Sequence, residues 1–303
     1  MLTAVRINPR ALLALAIGVL VVSTSAILIR LIQAEGMPSL AIAALRLSIS
    51  ALIITPVAWA RGRNELRQLP AKGWGLVIVS GAFLALHFIF WISSLAETTV
   101  LISTVLVVTS PIWVSILEVV FLRARFGRDV VFGLLITLTA GLLIALTGDT
   151  GAADSTTTNG AIMALMGAMA FAVYLVIGRS VRGKLSLFPY IWSVYSCAAV
   201  ILVVVCLING VPLTGYTNTA YLWVAVNAVL SQVIGHSSFN YAVKYMPATY
   251  IGVATQLEPI FSVLLAFLVL NESLMAIQIV IGIQILLGVL LVVLAPPRTA
   301  AES

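Results

Sequence analysis

The chain has 303 residues, of which 62% are apolar and only 9% are charged. Soluble domains have about 45–50% apolar and about 25% charged residues, so this composition argues for a protein embedded in a membrane. The net charge of +6 does not indicate nucleic-acid binding. Its basic residues lie between apolar runs, where they set membrane topology.

Ten apolar runs can be counted along the sequence, and most are near the ~20 residues that a membrane-spanning helix needs. Only short connections separate them, which leaves no room for a soluble domain. The runs are Leu12–Ile32, Ser39–Trp59, Gly73–Leu95, Thr98–Leu122, Val130–Leu146, Gly160–Ile177, Leu187–Ile208, Ala220–Tyr241, Ala248–Leu270 and Leu274–Leu294.

The distribution of Lys and Arg predicts the orientation of these spans. With ten spans, 14 of the 16 basic residues fall in the tails and in alternate loops, all on one side of the membrane. The opposite side carries acidic residues such as Glu35, Glu97 and Asp154. Because cytoplasmic loops are enriched in Lys and Arg, both termini are expected in the cytoplasm.

The two halves of the sequence resemble each other. Since each half contains five spans, the second half starts on the opposite side, and the repeats are predicted to be inverted in the membrane. A shift of 149 aligns Gly18 with Gly167, Arg30 with Arg179, His87 with His236 and Phe90 with Phe239, and a shift of 148 aligns Pro111 with Pro259.

Two runs carry small residues at intervals of four, a spacing that lets helix backbones approach closely in lipid. We expect both stripes to serve packing. They are Gly133, Thr137, Gly141 and Ala145 in the fifth run, and Gly160, Ala164, Ala168 and Ala172 in the sixth.

Proline and polar residues interrupt the fourth and ninth runs at mid-membrane depth. Residues 108–111 read Val-Thr-Ser-Pro, and residues 256–259 read Gln-Leu-Glu-Pro. Proline removes a backbone hydrogen bond from a helix, so Pro111 and Pro259 are predicted hinges. An intramembrane carboxylate such as Glu258 marks a functional site by default, although it can also be a neutral structural group.

These features together resemble the drug/metabolite transporter superfamily with EamA-type repeats. The segments that carry the resemblance are residues 97–113, residues 246–260 and the Asn-Glu pair at 271–272. Within that superfamily the chain is most similar to aromatic amino acid exporters of the YddG type. One departure is that Ser110 occupies the position in the first repeat that Glu258 occupies in the second.

The resemblance implies an all-α integral membrane protein with ten transmembrane helices, arranged as two inverted five-helix repeats around a central cavity. The repeats are expected to span residues 1–150 and 151–303. The implied function is export of amino acids with large apolar or aromatic side chains, and of related metabolites, by alternating access across the bacterial inner (cytoplasmic) membrane. The alternatives are an exporter of other small metabolites or drugs, a passive facilitator or channel, and a membrane-embedded enzyme.

Aromatic and polar residues near the two interrupted runs are the candidates for substrate binding. Trp91, near a helix end, fits the interfacial aromatic belt equally well. His87 and His236 are expected off the membrane midplane, toward opposite faces. The candidates are His87, Phe90, Trp91, Thr109, Ser110, Trp113, Tyr174, His236, Phe239, Gln256 and Glu258.

Two further charged residues lie inside predicted spans. Arg46 is about eight residues deep, where it can extend to the surface, pair with Glu258 or Glu118, or bind a substrate carboxylate. Glu118, near the inner end of the fourth run, is expected to be structural and close to Arg123 and Arg125.

The sequence contains neither a phosphate-binding glycine loop nor a metalloprotease motif, so a nucleotide-driven pump or a zinc enzyme is not indicated. No cofactor and no metal site are expected. The expected partners are a small amino acid substrate and the lipid bilayer, with no nucleic acid, and the chain is expected to act as a monomer.

The charge distribution predicts that residues 61–72 and 123–128 face the cytoplasm, whereas residues 149–159 face outside. An Asp154→Cys variant in a cysteine-free background should therefore react with a membrane-impermeant thiol reagent in intact cells. Reaction only after permeabilisation would contradict this topology.

Overall fold

Helices form nearly all of the first half of the protein. A computed structural model describes residues 8–98, 100–147, 158–261 and 276–294. We number the helical segments α1 to α10 in the order of the apolar runs. In the first half α1 comprises Pro9–Val22 and Ser25–Ala34, α2 is Ser39–Gln68, α3 is Ala71–Glu97, α4 comprises Val100–Val107 and Ser110–Leu122, and α5 is Arg128–Thr147.

The second half is also helical, with less regular segments. α8 and α9 are each divided, and α9 turns at residues 256–257 before the helix resumes at residue 258. Here α6 is Thr158–Arg182, α7 is Leu187–Ile208, α8 comprises Asn218–Asn227, the π-helical Ala228–His236 and Ser237–Ala242, α9 begins with Ala248–Thr255, and α10 is Ala276–Leu294.

Within the described residues, six helices are long and apolar enough to cross a membrane. They are α1, taken as residues 9–34, α2, α3, α4 from residue 102, α6 and α7. The ten-span arrangement stays a prediction. The predicted outer loop covers residues 149–159, of which residues 149–157 lie outside the described residues, as do Glu272 and the C-terminal tail.

The predicted interruptions of α4 and α9 are present. Pro111 lies in the first turn of the second piece of α4, and Ile112 N donates to Thr109 O at 3.0 Å. Because the N–H of Ile112 bonds to Thr109 and not to Val108, the carbonyl of Val108 lacks its helical donor. Gln256 of α9 supplies a donor instead, since its Nε2 lies 3.1 Å from Val108 O.

Two other irregular segments were not predicted. The chain turns at residues 23–24 within α1, where Ser23 Oγ donates to Val19 O at 2.7 Å. The π-helical part of α8 packs directly on α1, because a Cβ at Gly235 would lie 2.4 Å from Val22 Cγ2. Neither site contains proline, so neither has a strong local signal in the sequence.

Contacts between equivalent positions of the two repeats support an approximate two-fold axis. Gln256 hydrogen-bonds Val108, which is the position 148 residues earlier. Gln284 Nε2 donates to Ile136 O at 3.2 Å, again across 148 residues. Positions related by a two-fold operation touch each other only close to its axis, so the axis passes between α4 and α9 and between α5 and α10.

The small-residue stripes pack as expected where they are described. A Cβ at Gly133 of α5 would lie 2.7 Å from the carbonyl oxygen of Gly288 on α10, so only glycine permits this approach. On α6, Ala164, Ala168 and Ala172 are fully buried. The side chains of Gly141 and Ala145 lie outside the described set.

Candidate functional site

A cavity lies at the centre of the helical assembly, against the interruptions of α4 and α9. Its volume is about 30 Å³, enough for roughly two water molecules and well below the range for small-molecule sites. We call it the central cavity. It is lined by Val22, His87, Trp91, Val107, Val108, Ser110, Phe171, His236, Phe239, Thr255 and Glu258.

Six of the eleven candidate residues therefore share one cavity. They come from four helices, α3, α4, α8 and α9, that are distant in sequence. The six are His87, Trp91, Ser110, His236, Phe239 and Glu258.

The two histidines are closer together than expected. Their ring centroids are 6.2 Å apart, so the expectation that they lie toward opposite faces is wrong. Depth along separate helices does not include the length of the side chains, and the two imidazole side chains meet between the repeats. Their surroundings differ, because His87 Nδ1 donates to Gly167 O at 2.9 Å while His236 Nδ1 has no partner among the described residues.

Five of the eleven residues that line the cavity carry aromatic rings, with the two histidines included. Trp91 stacks on His87 with centroids 5.8 Å apart and an interplanar angle of 9°. Phe171 contacts both His87 and His236, with ring centroids 5.1 and 6.0 Å apart. Trp91 is only 4% exposed, so the interfacial-belt interpretation of this residue is wrong.

Glu258 is the carboxylate of the central cavity. It lies in the first turn after the interruption of α9 and is 8% exposed. It forms no ion pair with any residue that the structure describes. A cationic group entering the cavity would therefore find a carboxylate with no competing cation in contact.

Two other candidates lie on a second cavity, between α4, α5, α9 and α10, which we call the lateral cavity. Thr109, Gln256 and the predicted hinge Pro259 line it, and its volume is about 190 Å³. Its wall contains no ionisable side chain among the described residues. The lateral cavity is larger but lacks the groups that would orient a charged substrate.

The remaining three candidates line neither cavity. Tyr174 is fully buried, and its hydroxyl accepts a hydrogen bond from Asn240 Nδ2. Phe90 and Trp113 are half-buried. These residues were proposed from aromatic type and approximate depth, which do not determine the face of the helix on which a side chain lies.

Arg46 pairs with neither of the carboxylates considered for it. It is fully buried, its Nε donates to Gln232 Oε1 at 3.2 Å, and its Nη1 donates to Ser25 Oγ at 3.0 Å. Its guanidinium carbon lies 4.4 Å above the ring of Phe88. It therefore does not extend to the surface.

Glu118 is placed to stabilise the fold, but its ion-pair partner differs from the expected arginines. It forms a salt bridge with Arg179 of α6 rather than with Arg123 or Arg125. Its carboxylate also accepts from the backbone N–H groups of Ala248 and Thr249, at 2.9 and 3.1 Å. A carboxylate at this position caps the first turn of α9.

Several residues of this region are not among the candidates predicted from the sequence. Phe171 lies beside the small-residue stripe of α6 and lines the central cavity. An aromatic ring inside this run is the feature of the sequence that could have identified it. Asn227, Ser231 and Gln232 are fully buried in α8. As polar residues inside an apolar run, they could have been identified by the same reasoning that selected Glu258.

The EamA-like transporter family matches this chain twice, over residues 9–146 and 158–294. One solved crystal structure aligns with a TM-score of 0.78 and 19% sequence identity, covering 98% of this chain and 100% of its own. At that identity it supports the fold alone. No match is found among curated proteins.

Replacing Glu118 tests the structural role of its carboxylate. Glu118→Gln leaves Arg179 without its charged partner and weakens the cap of α9, which we expect to lower stability by about 1–3 kcal/mol. Thermal unfolding of the purified protein in detergent measures this. Ligand affinity should stay unchanged, because Glu118 does not line the central cavity.

Glu65→Gln is the matched control, because Glu65 is half-buried and, among the described residues, accepts a hydrogen bond from Ser186 N. Its effect on unfolding should be smaller. Equal stability of Glu118→Gln and the wild type would contradict the capping role.

Proposed function

Because the chain belongs to the EamA-like transporter family, we propose that it is a secondary transporter that exports amino acids with large apolar or aromatic side chains. The family match and the apolar helices support a multi-pass membrane protein that moves small molecules. The proposed substrate rests on one observation: the central cavity combines an aromatic wall with a single carboxylate, Glu258.

The wall suits a flat or large apolar side chain. Trp91, Phe171 and Phe239 offer ring surfaces, and an aromatic pair contributes about 0.5–1.5 kcal/mol beyond the burial of area. Glu258 can receive the substrate ammonium group through a charge-assisted hydrogen bond. The cavity is small, so a bulky side chain requires some of these rings to move apart.

The proposed mechanism is alternating access about the crossing of α4 and α9. Both helices lack backbone hydrogen bonds at this crossing, so bending there costs less than bending an intact helix. A carrier also has to release its substrate on the far side. We therefore expect weak affinity, micromolar to millimolar, or about −8 to −4 kcal/mol.

The proposal includes ten spans with both termini in the cytoplasm, in a bacterial inner membrane. Its support is that the basic residues of the tails and loops all fall on one predicted side of the membrane. The lipid bilayer and the amino acid are the proposed partners, a monomer is the proposed working unit, and no nucleic acid is involved.

An aromatic amine is a second candidate substrate, favoured by a specific feature of the wall. The described lining of the central cavity contains one carboxylate and no Lys or Arg. Such a wall accepts an ammonium group whether or not the molecule also carries a carboxylate. An exporter of cationic drugs or amines would use the same contacts.

Flux measurements in proteoliposomes test the substrate class. Phenylalanine, tryptophan and leucine should move faster than glutamate and lysine, and flux should respond to an imposed proton gradient if transport is coupled to protons. Faster movement of glutamate or lysine would contradict the proposal. So would wild-type flux in a double variant, His87→Ala with Glu258→Ala.

Replacing one proline tests the hinge. Pro259→Ala can restore a backbone hydrogen bond in α9, so we expect turnover to fall several-fold while substrate affinity changes little. Pro56→Ala is the control, because Pro56 lies inside the continuous helix α2 rather than at an interruption. Wild-type turnover in both Pro111→Ala and Pro259→Ala would exclude the hinge.

A further inference from the structure

A buried cationic cluster lies beside the central cavity. Arg46 is its centre, and among the described residues it has no acidic partner within ion-pair distance. Ser25 of α1 accepts from Arg46 and donates to Asn227 Oδ1 of α8 at 3.0 Å. Gln232 accepts from Arg46 on another side. We call Ser25, Arg46, Asn227, Ser231 and Gln232 the arginine cluster.

The unpartnered atoms of this cluster are mainly hydrogen-bond donors. Arg46 Nη2, Asn227 Nδ2 and Gln232 Nε2 are all buried without a partner in the described structure, as is the hydroxyl of Ser231. An arginine cannot accept a hydrogen bond, so the oxygen of Gln232 must face Arg46. The unpartnered atom of Gln232 is therefore its NH₂ group.

A positive charge surrounded by unpartnered donors is suited to an anion. Burying a charge with no counterion in contact is costly, and the ring of Phe88 offsets only part of this cost. An unpartnered buried donor is also costly. A carboxylate would supply the missing charge and acceptors for two or more of these donors at once.

Aromatic contacts connect the arginine cluster to the central cavity. The guanidinium group of Arg46 lies over the ring of Phe88, and the centroid of this ring is 5.3 Å from that of His236. His236 lines the cavity, and its Nδ1 is unpartnered. It is also the last residue of the π-helical part of α8, and π-helical turns often occur at functional sites.

We propose that the arginine cluster receives the carboxylate of the transported amino acid once His236 moves aside, while Glu258 receives the ammonium group. This inference rests on the proposed function for the identity of the carboxylate. It makes Arg46, Asn227 and Gln232 the residues that select amino acids over amines. The ammonium and carboxylate groups of an α-amino acid are bonded to one carbon, so the two sites have to lie close together when the substrate is bound.

The test uses two probes that each keep the phenyl ring and one charged group of phenylalanine. Binding of 3-phenylpropanoate and of phenethylamine is measured from the concentration dependence of thermal unfolding in detergent. In a Gln232→Glu variant a built-in carboxylate occupies the cluster beside Arg46. We expect this variant to bind 3-phenylpropanoate at least 10-fold more weakly, to bind phenethylamine within threefold of wild type, and to unfold at the same or a higher temperature.

Gln284→Glu is the matched control, since Gln284 is a partly buried glutamine on α10, away from both Arg46 and the central cavity. It should leave the affinity for both probes unchanged. If Gln232→Glu does not fold, Asn227→Asp places a carboxylate in the same cluster and should give the same selective loss.

Equal affinity for 3-phenylpropanoate in wild type and Gln232→Glu would overturn the inference, as would the absence of binding to wild type. Selective loss of the acid together with no phenylalanine flux would keep the carboxylate site and reject the amino acid exporter. Phenylalanine flux without a selective loss would keep the exporter and reject the site.

Discussion

The lack of hydrogen-bonding solvent in the membrane interior is the constraint on which this structure depends. Every backbone group exposed by a break in a helix must find a partner inside the protein. Pro111 creates such a break in α4, and Gln256, at the equivalent break in α9, donates to the carbonyl of Val108. The two interruptions therefore have to meet, and their meeting places Ser110 and Glu258 on one cavity.

The approximate symmetry explains why this crossing lies at the centre. Three pairs of repeat-equivalent positions are in contact, including the two histidines. The repeats are not identical at the site, however. His87 is held by the carbonyl of Gly167, whereas Nδ1 of His236 is unpartnered. Glu258 likewise has a serine, Ser110, at the equivalent position of the first repeat. A site on the axis can thus bind an asymmetric molecule.

Much of the arrangement could be predicted because it follows from composition and local chemistry. Apolar runs predicted the helices, and Pro111 and Pro259 predicted the interruptions. The π-helical turn of α8 and the break in α1 could not be predicted in this way, since tertiary packing produces them without proline. Helix faces were also unpredictable from depth alone, so Tyr174 and Trp113 were placed near the site although they line neither cavity. The partners of Arg46 depend on how three helices meet.

The central claim is that the crossing of α4 and α9 encloses a cavity that opens in turn to each side of the membrane. A Ser110→Cys variant, with Cys197 and Cys206 replaced by serine, places a thiol on the wall of this cavity. Its reaction with a membrane-impermeant reagent is measured in right-side-out and in inverted vesicles. The account predicts reaction from both sides, slowed by phenylalanine. Reaction from one side alone, with or without phenylalanine, would contradict it.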